Sequence, residues 1–156
     1  VHAAIHYGAP VWPRATCTYL MGEVMLPISS PGFLTNHDVH SPEELATAPL
    51  LSIASRPKAW EGWFRQNGVQ GSISPGMVVG DFLTMIHAAQ IGMGAALLPR
   101  FLVEKELEKG DLIVINDRPF TSEHGYHLVV PDDKLNFRPT LTFKAWLLAN
   151  TQNFSG

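Results

Sequence analysis

Short apolar runs of strand length alternate along this chain with stretches of helical period, and only a few residues separate one from the next. That alternation favours a layered α/β arrangement over a helical bundle or a β-sandwich. His2 to Tyr7 reads as an apolar strand ended by Gly8, and residues 9–19, with Pro10 and Pro13, read as loop. From Glu23 to Ser29 the apolar residues Val24, Leu26 and Ile28 alternate with the period of a strand. Pro27 inside that run predicts an edge or irregular strand, and Ser30-Pro31-Gly32 ends it. Ser41, Pro42 and Glu44 occupy the N-cap, N1 and N3 positions of a capping box, which starts a short helix running to about Ala48.

The second half repeats the alternation. Leu50 to Ser55 is a strand, and Ala59 to Asn67 is a helix with Trp60, Trp63 and Phe64 on one face. Met77 to Val79 is a brief strand. Asp81 then caps a helix whose Phe82, Met85, Ile86 and Ala89 fall at helical spacing, and Gly92 and Gly94 end it. Ala95 to Leu98 is a strand, and Arg100 to Lys109 a helix with Leu102, Val103 and Leu107 inward and Gly110 as its cap. Leu112 to Ile115 and Tyr126 to Val130 are strands. A last helix, Leu141 to Ala149, is built on Leu141, Phe143, Lys144, Ala145, Trp146 and Leu148.

Composition excludes several classes of protein. With 46% hydrophobic and 16% charged residues, the chain of 156 residues can bury a core and is not a disordered segment. Eleven basic against 14 acidic residues give a net charge of −3, which argues against a nucleic-acid-binding face. The single Cys17 cannot form an internal disulfide. No apolar run reaches membrane-span length, and no basic stretch precedes an apolar one as in a secretory leader. The chain opens at Val1, without Met and inside a strand, so it is expected to be a fragment.

No set of residues assembles an enzyme. Gly92-Met93-Gly94 lies between a helix and a strand, the reverse of a dinucleotide-binding order. The close histidine pairs His37/His40 and His124/His127 lack a third ligand, so neither a metal nor a cofactor is expected. There is no Gly-x-Ser-x-Gly elbow, and Cys17 has no histidine near it in the sequence. Asp132-Asp133 reads as a turn.

The polar residues at element ends are more informative. Ser29 and Ser30 end one strand, Ser55 and Arg56 another, and Asp81 stands where a strand passes into a helix. Ligands of open α/β sheets bind beyond strand carboxyl ends and beside helix N-termini, whose positive dipole suits an anionic group. Each residue also has a plain structural reading: the serines as turn-formers, Asp81 as a helix cap that offsets the helix field, Arg56 as a surface cation.

Seven segments, taken in order, resemble one family. They are Ala3-Ala4-Ile5-His6-Tyr7-Gly8, Leu26-Pro27-Ile28-Ser29-Ser30-Pro31, Pro49-Leu50-Leu51, Ser55-Arg56-Pro57-Lys58-Ala59-Trp60 with Trp63-Phe64, the run from Ala88 to Pro99, Tyr126-His127-Leu128-Val129-Val130-Pro131, and the closing helix with Phe143 and Trp146. Together they resemble the effector-binding domain of LysR-type transcriptional regulators, in the branch that holds the glycine-cleavage activator and the β-lactamase regulator. No single motif is specific; the series is, and it covers nearly the whole chain. His2 and His6 depart from the family's usual Asp and Arg in the first segment.

The resemblance implies a type II periplasmic-binding-protein-like α/β fold of two subdomains, the first truncated at its N-terminus. Residues 1–27 and 127–156 would belong to the first subdomain and 28–126 to the second, with crossovers near Leu26 and Leu128. The truncation is expected to expose sheet edges and apolar surface. A small-molecule effector would bind between the subdomains, contacting Ser29, Ser30, Ser55, Arg56, Val79, Asp81, Phe82, Met85, Tyr126 and His127, with Phe82 and Met85 as the apolar wall. The family further implies a cytoplasmic bacterial regulator, a homodimer or homotetramer in which the helix Arg100 to Lys109 is a candidate for dimer packing, and promoter DNA bound only through an N-terminal helix-turn-helix outside this chain. A periplasmic solute-binding protein shares the architecture and is the alternative; an enzyme built on the histidines is a third reading.

Overall fold

The structure, a computed structural model, describes residues 2–73 and 76–151. In chain order its elements are β1 (Ala4–Gly8), β2 (Ala15–Ser29), α1 (Pro31–His37), α2 (Pro42–Thr47), β3 (Leu50–Ile53), α3 (Ala59–Gln66), β4 (Met77–Val79), α4 (Phe82–Gln90), β5 (Ala95–Pro99), α5 (Glu104–Lys109), β6 (Ile113–Val114), β7 (Phe120–Pro131) and α6 (Arg138–Thr151). The chain forms two compact units, one of residues 1–23 and 121–156 and the other of residues 24–120. The changes of unit fall within β2 and β7, where the sequence reading put them at 27/28 and 126/127.

In the second unit the sheet runs β2-β5-β3-β4, with the short β6 also on β2. β3 is parallel to both β4 and β5, and β2 is antiparallel to β5. Side chains alternate across this sheet and sort into two cores. Leu26, Ile28, Leu51, Ile53, Ala96 and Leu98 face α4, with Met85, Ile86 and Ala89 packed among them. Met25, Leu50, Ala95 and Leu97 face α1 to α3, where Phe33, Leu45, Trp60, Trp63 and Phe64 fill the other core. Both indole N–H groups of α3 find backbone carbonyls: Trp60 donates to the buried Leu51 O at 2.9 Å and Trp63 to Arg118 O at 2.7 Å.

α1, α2 and α4 start on side-chain caps, whereas α3 and α5 do not. Ser41 and Glu44 form the reciprocal box read from the sequence. Ser30 caps α1 with a one-sided bond, its Oγ accepting from Phe33 N–H at 3.2 Å with Pro31 in the first turn, so Ser30-Pro31-Gly32 opens a helix as well as ending the strand. Pro27 lies inside the sheet, not on an edge. Its carbonyl accepts from Ile115 N–H at 2.8 Å, so its missing N–H faces the side on which β6 has already ended at Val114. The expected helix over 100–109 divides into a 3₁₀ turn, Arg100–Leu102, and α5, closed by Gly110 at φ 79°.

In the first unit β1 is antiparallel to β7, with Ala4 opposite Val129 and Gly8 opposite Gly125, and β7 borders β2. β2 begins at Ala15, so half of the expected loop is strand. Leu20, Met21, Leu128, Val129, Val130 and Leu147 are buried here. α6 buries Thr140, Leu147 and Thr151, whereas Leu141, Phe143 and Trp146, among the residues on which the helix is expected to be built, are exposed.

Candidate functional site

The carboxyl edge of β3 and β4 gathers most of the polar residues singled out from the sequence. Ile53 is level with Val79, and Ala54 N–H donates to Val79 O at 2.9 Å, which ties the two strand ends together. The approach is close: a Cβ on Gly76, just before β4, would lie 1.9 Å from Leu50 O. Beyond β3, an Arg56 guanidinium nitrogen donates to Ser55 Oγ at 2.7 Å, and the guanidinium lies over the Phe82 ring, 5.1 Å from its centroid. Beyond β4, Asp81 caps α4, with one carboxylate oxygen accepting from Thr84 N–H at 2.8 Å and the other from the Thr84 hydroxyl at 2.9 Å. Those bonds, the backbone one foremost, lower the Asp81 pKa below its ordinary value. Met85 lies in the core behind Phe82, and Val79 is likewise buried.

Ser55, Arg56, Asp81 and Phe82 therefore stand at one end of the second unit. Ser29 and Ser30 do not join them. Because β2 runs against β5, its Ile28 is level with Ala96, which is itself level with Leu51, and Ser29 falls at the amino-terminal end of the parallel strands. At about 3.3 Å per residue, Ser29 and Ser55 lie roughly 10 Å or more apart along the sheet. Both serines are buried and engaged in local bonds: Ser29 Oγ donates to Ser30 O at 3.0 Å, and Ser30 caps α1. The expectation that they share a site with Ser55 and Asp81 is corrected by strand direction.

Tyr126 and His127 belong to the first unit. As successive residues of β7 they point to opposite faces of its sheet. The Tyr126 hydroxyl donates to a Glu23 carboxylate oxygen, and Ser122 Oγ donates to the other at 2.9 Å. Glu23 is 0% exposed. It is the one charged residue of β2. On the other face, His127 packs edge-on to Tyr19 with ring centroids 5.6 Å apart, and its Nδ1 is buried without a hydrogen-bond partner.

Among the described residues no group of three or more His, Cys, Asp or Glu side chains is placed to hold a metal ion, and no helix is long and apolar enough to cross a membrane. His40 Nε2 reaches Asp38 Oδ1 at 2.7 Å on the surface, and His37 Nδ1 is 3.0 Å from Phe33 O.

A family model of the LysR substrate-binding domain matches residues 1–152. The chain is 31% identical over 151 residues to the glycine cleavage system transcriptional activator of Escherichia coli K12, covering 96% of this chain and 49% of that protein. It is 24% identical over 159 residues to the carbapenem-hydrolyzing β-lactamase transcriptional activator of Enterobacter cloacae, covering 99% of this chain and 52% of that one. The chain thus spans about half the length of the curated relatives it matches. In fold it is similar to the effector domain of the transcriptional regulator AmpR of Pseudomonas aeruginosa, with a TM-score of 0.88 and 23% identity over 98% of this chain and 73% of that one. These relatives are transcriptional regulators, neither enzymes nor transporter proteins, which decides against the solute-binding and enzyme alternatives.

Proposed function

The chain belongs to the LysR substrate-binding domain family, and we propose that it senses a small-molecule effector on behalf of a DNA-binding transcriptional regulator. The observation that carries the reading is Arg56 held over Phe82 beside the first turn of α4. A fixed cation, an aromatic wall and the positive end of a nine-residue helix meet at the carboxyl edge of parallel strands. That combination suits a small molecule with an anionic group, the group facing Arg56 and the apolar part facing Phe82. Ser55 accepts a bond from Arg56, which leaves its own hydroxyl hydrogen to donate.

An effector can act only through different affinities for two arrangements of the protein. In the full regulator, a cytoplasmic homodimer or homotetramer, that difference would alter how the DNA-binding parts are spaced. Promoter contact is assigned to a helix-turn-helix outside this chain, in keeping with the net charge of −3.

The test is a thermal-shift screen of small carboxylates, amino acids and cell-wall peptides on the effector domain, followed by Ser55→Ala and Asp81→Ala in the full-length regulator. Both variants are expected to change the response to the effector while promoter binding persists. Two variants that respond normally would remove this edge from the site.

A further inference from the structure

The mouth of α4 already holds an anion of the chain's own. Asp81 accepts from Thr84 N–H at 2.8 Å through one carboxylate oxygen and from the Thr84 hydroxyl at 2.9 Å through the other. Two bonds to one residue fix the place of the negative charge, and the backbone bond takes up one of the N–H donors that a helix start otherwise offers to a ligand. Asp81 is exposed, and its pKa lies below the ordinary carboxylate value, so it is ionised at neutral pH.

The next residue, Phe82, carries the Arg56 guanidinium over its ring at 5.1 Å from the centroid. Arg56 is half-buried and brings one positive charge, whatever its bonds. Ser55 and Thr84 bring none, so the charges of Arg56 and Asp81 cancel at this edge. Lys58 is exposed, and water and salt screen its charge.

We infer that Asp81 is a specificity-determining residue of this edge: its carboxylate rejects a second negative charge, so the effector class is a monoanion with an apolar body, and dicarboxylates and phosphate monoesters are turned away. The inference rests on the reading of Ser55, Arg56 and Phe82 as part of the effector site. With one carboxylate set against Arg56, the hydrocarbon of a monoanion is left for Phe82. A second charge on the same small molecule meets either the face of the Phe82 ring, which is itself negative, or the fixed charge of Asp81. Selection of this kind comes from a built-in repulsion, with no added contact.

The probes are butyrate and succinate, matched in carbon skeleton, with one carboxylate and two. Each is titrated into the chain at low ionic strength and mildly alkaline pH, where succinate carries both charges, while the backbone amides of Ser55, Arg56 and Phe82 are followed by NMR. Butyrate is expected to bind about fivefold more tightly than succinate. Asp81→Asn keeps a side chain that caps helices and removes the charge. It should strengthen succinate more than butyrate and bring the ratio close to one. Added salt should narrow the ratio in the wild-type chain and leave it unchanged in Asp81→Asn. A residue that mattered only as a helix cap would alter stability and leave the ratio and its salt dependence alone. Asp81→Ser, a second capping side chain without charge, gives the same reading if Asp81→Asn does not fold.

The inference is overturned if succinate binds the wild-type chain as tightly as butyrate, or if the ratio survives the loss of the Asp81 charge. Amides of Ser55, Arg56 and Phe82 that respond equally to both probes sink the inference and leave the proposed function standing. Amides that respond to neither probe remove this edge from the effector site, and the inference falls with it.

Discussion

Arg56 is held by two neighbours at once: its guanidinium lies 5.1 Å from the Phe82 ring centroid and donates to Ser55 Oγ at 2.7 Å. A stacked guanidinium is oriented before a ligand arrives, so less side-chain entropy is lost on binding. Phe82→Ala should therefore lower effector affinity several-fold while costing only about 1 kcal/mol of stability. Isothermal titration and urea unfolding of the same variant separate the two effects. An affinity unchanged by Phe82→Ala would show that the stacking does not orient Arg56 for binding.

Ser30 has become a structural residue. Ser30→Ala removes the α1 cap and should cost about 1 kcal/mol in urea unfolding. The effector response of the full-length regulator is expected to stay at the wild-type level, because Ser30 lies at the opposite end of the parallel strands from Ser55.

Asp81 gives stability a dependence on acid pH. Its folded-state pKa is lowered from 3.8, first by the Thr84 N–H and then by the Thr84 hydroxyl. A carboxylate with a depressed folded pKa contributes stability that is fully present above the unfolded value and is lost as pH falls through the folded one. In thermal melts from pH 7 to pH 3, wild type should exceed Asp81→Asn at neutral pH, and the gap should close below about pH 4. A gap constant across that range would mean that the ionised form is not what holds the helix start.

Gly76 admits no side chain. A Cβ there would sit 1.9 Å from the Leu50 carbonyl oxygen, which is backbone and cannot rotate away. Gly76→Ala should push β4 off β3 and destabilise the second unit by about 1–3 kcal/mol. Hydrogen exchange should quicken at Ala54, whose N–H is bonded to Val79 O.

Local chemistry was legible in the sequence and strand direction was not. The capping box at Ser41 and Glu44, the Asp81 cap and the indole face of α3 depend on neighbours within a few residues, and each reads correctly from the chain. β2 was cut short at its start because Thr16, Cys17 and Thr18 carry no apolar alternation; β7, more than 100 residues away, borders that strand. The antiparallel course of β2 also decided where Ser29 and Ser30 lie, and no residue within the strand announces its direction. α6 misled for a related reason: Phe143 and Trp146 look like core, yet the stripe of Thr140, Leu147 and Thr151 is the buried one. Glu23 was hidden because a single acid in an apolar run has no meaning until Ser122 and Tyr126 are placed beside it.

The two bonds that Thr84 gives to Asp81 bear on how quickly the sensor can reset. Both carboxylate oxygens are engaged, one with the amide and one with the hydroxyl of the same residue, and together the bonds hold the acid at the mouth of α4. An anionic group arriving there meets Arg56 but also a permanent negative neighbour. Differences in affinity among related sites reside mostly in dissociation, so a binding edge tempered in this way would have a shorter residence time than one without the acid. Occupancy would then track the effector's concentration as it falls as well as when it rises.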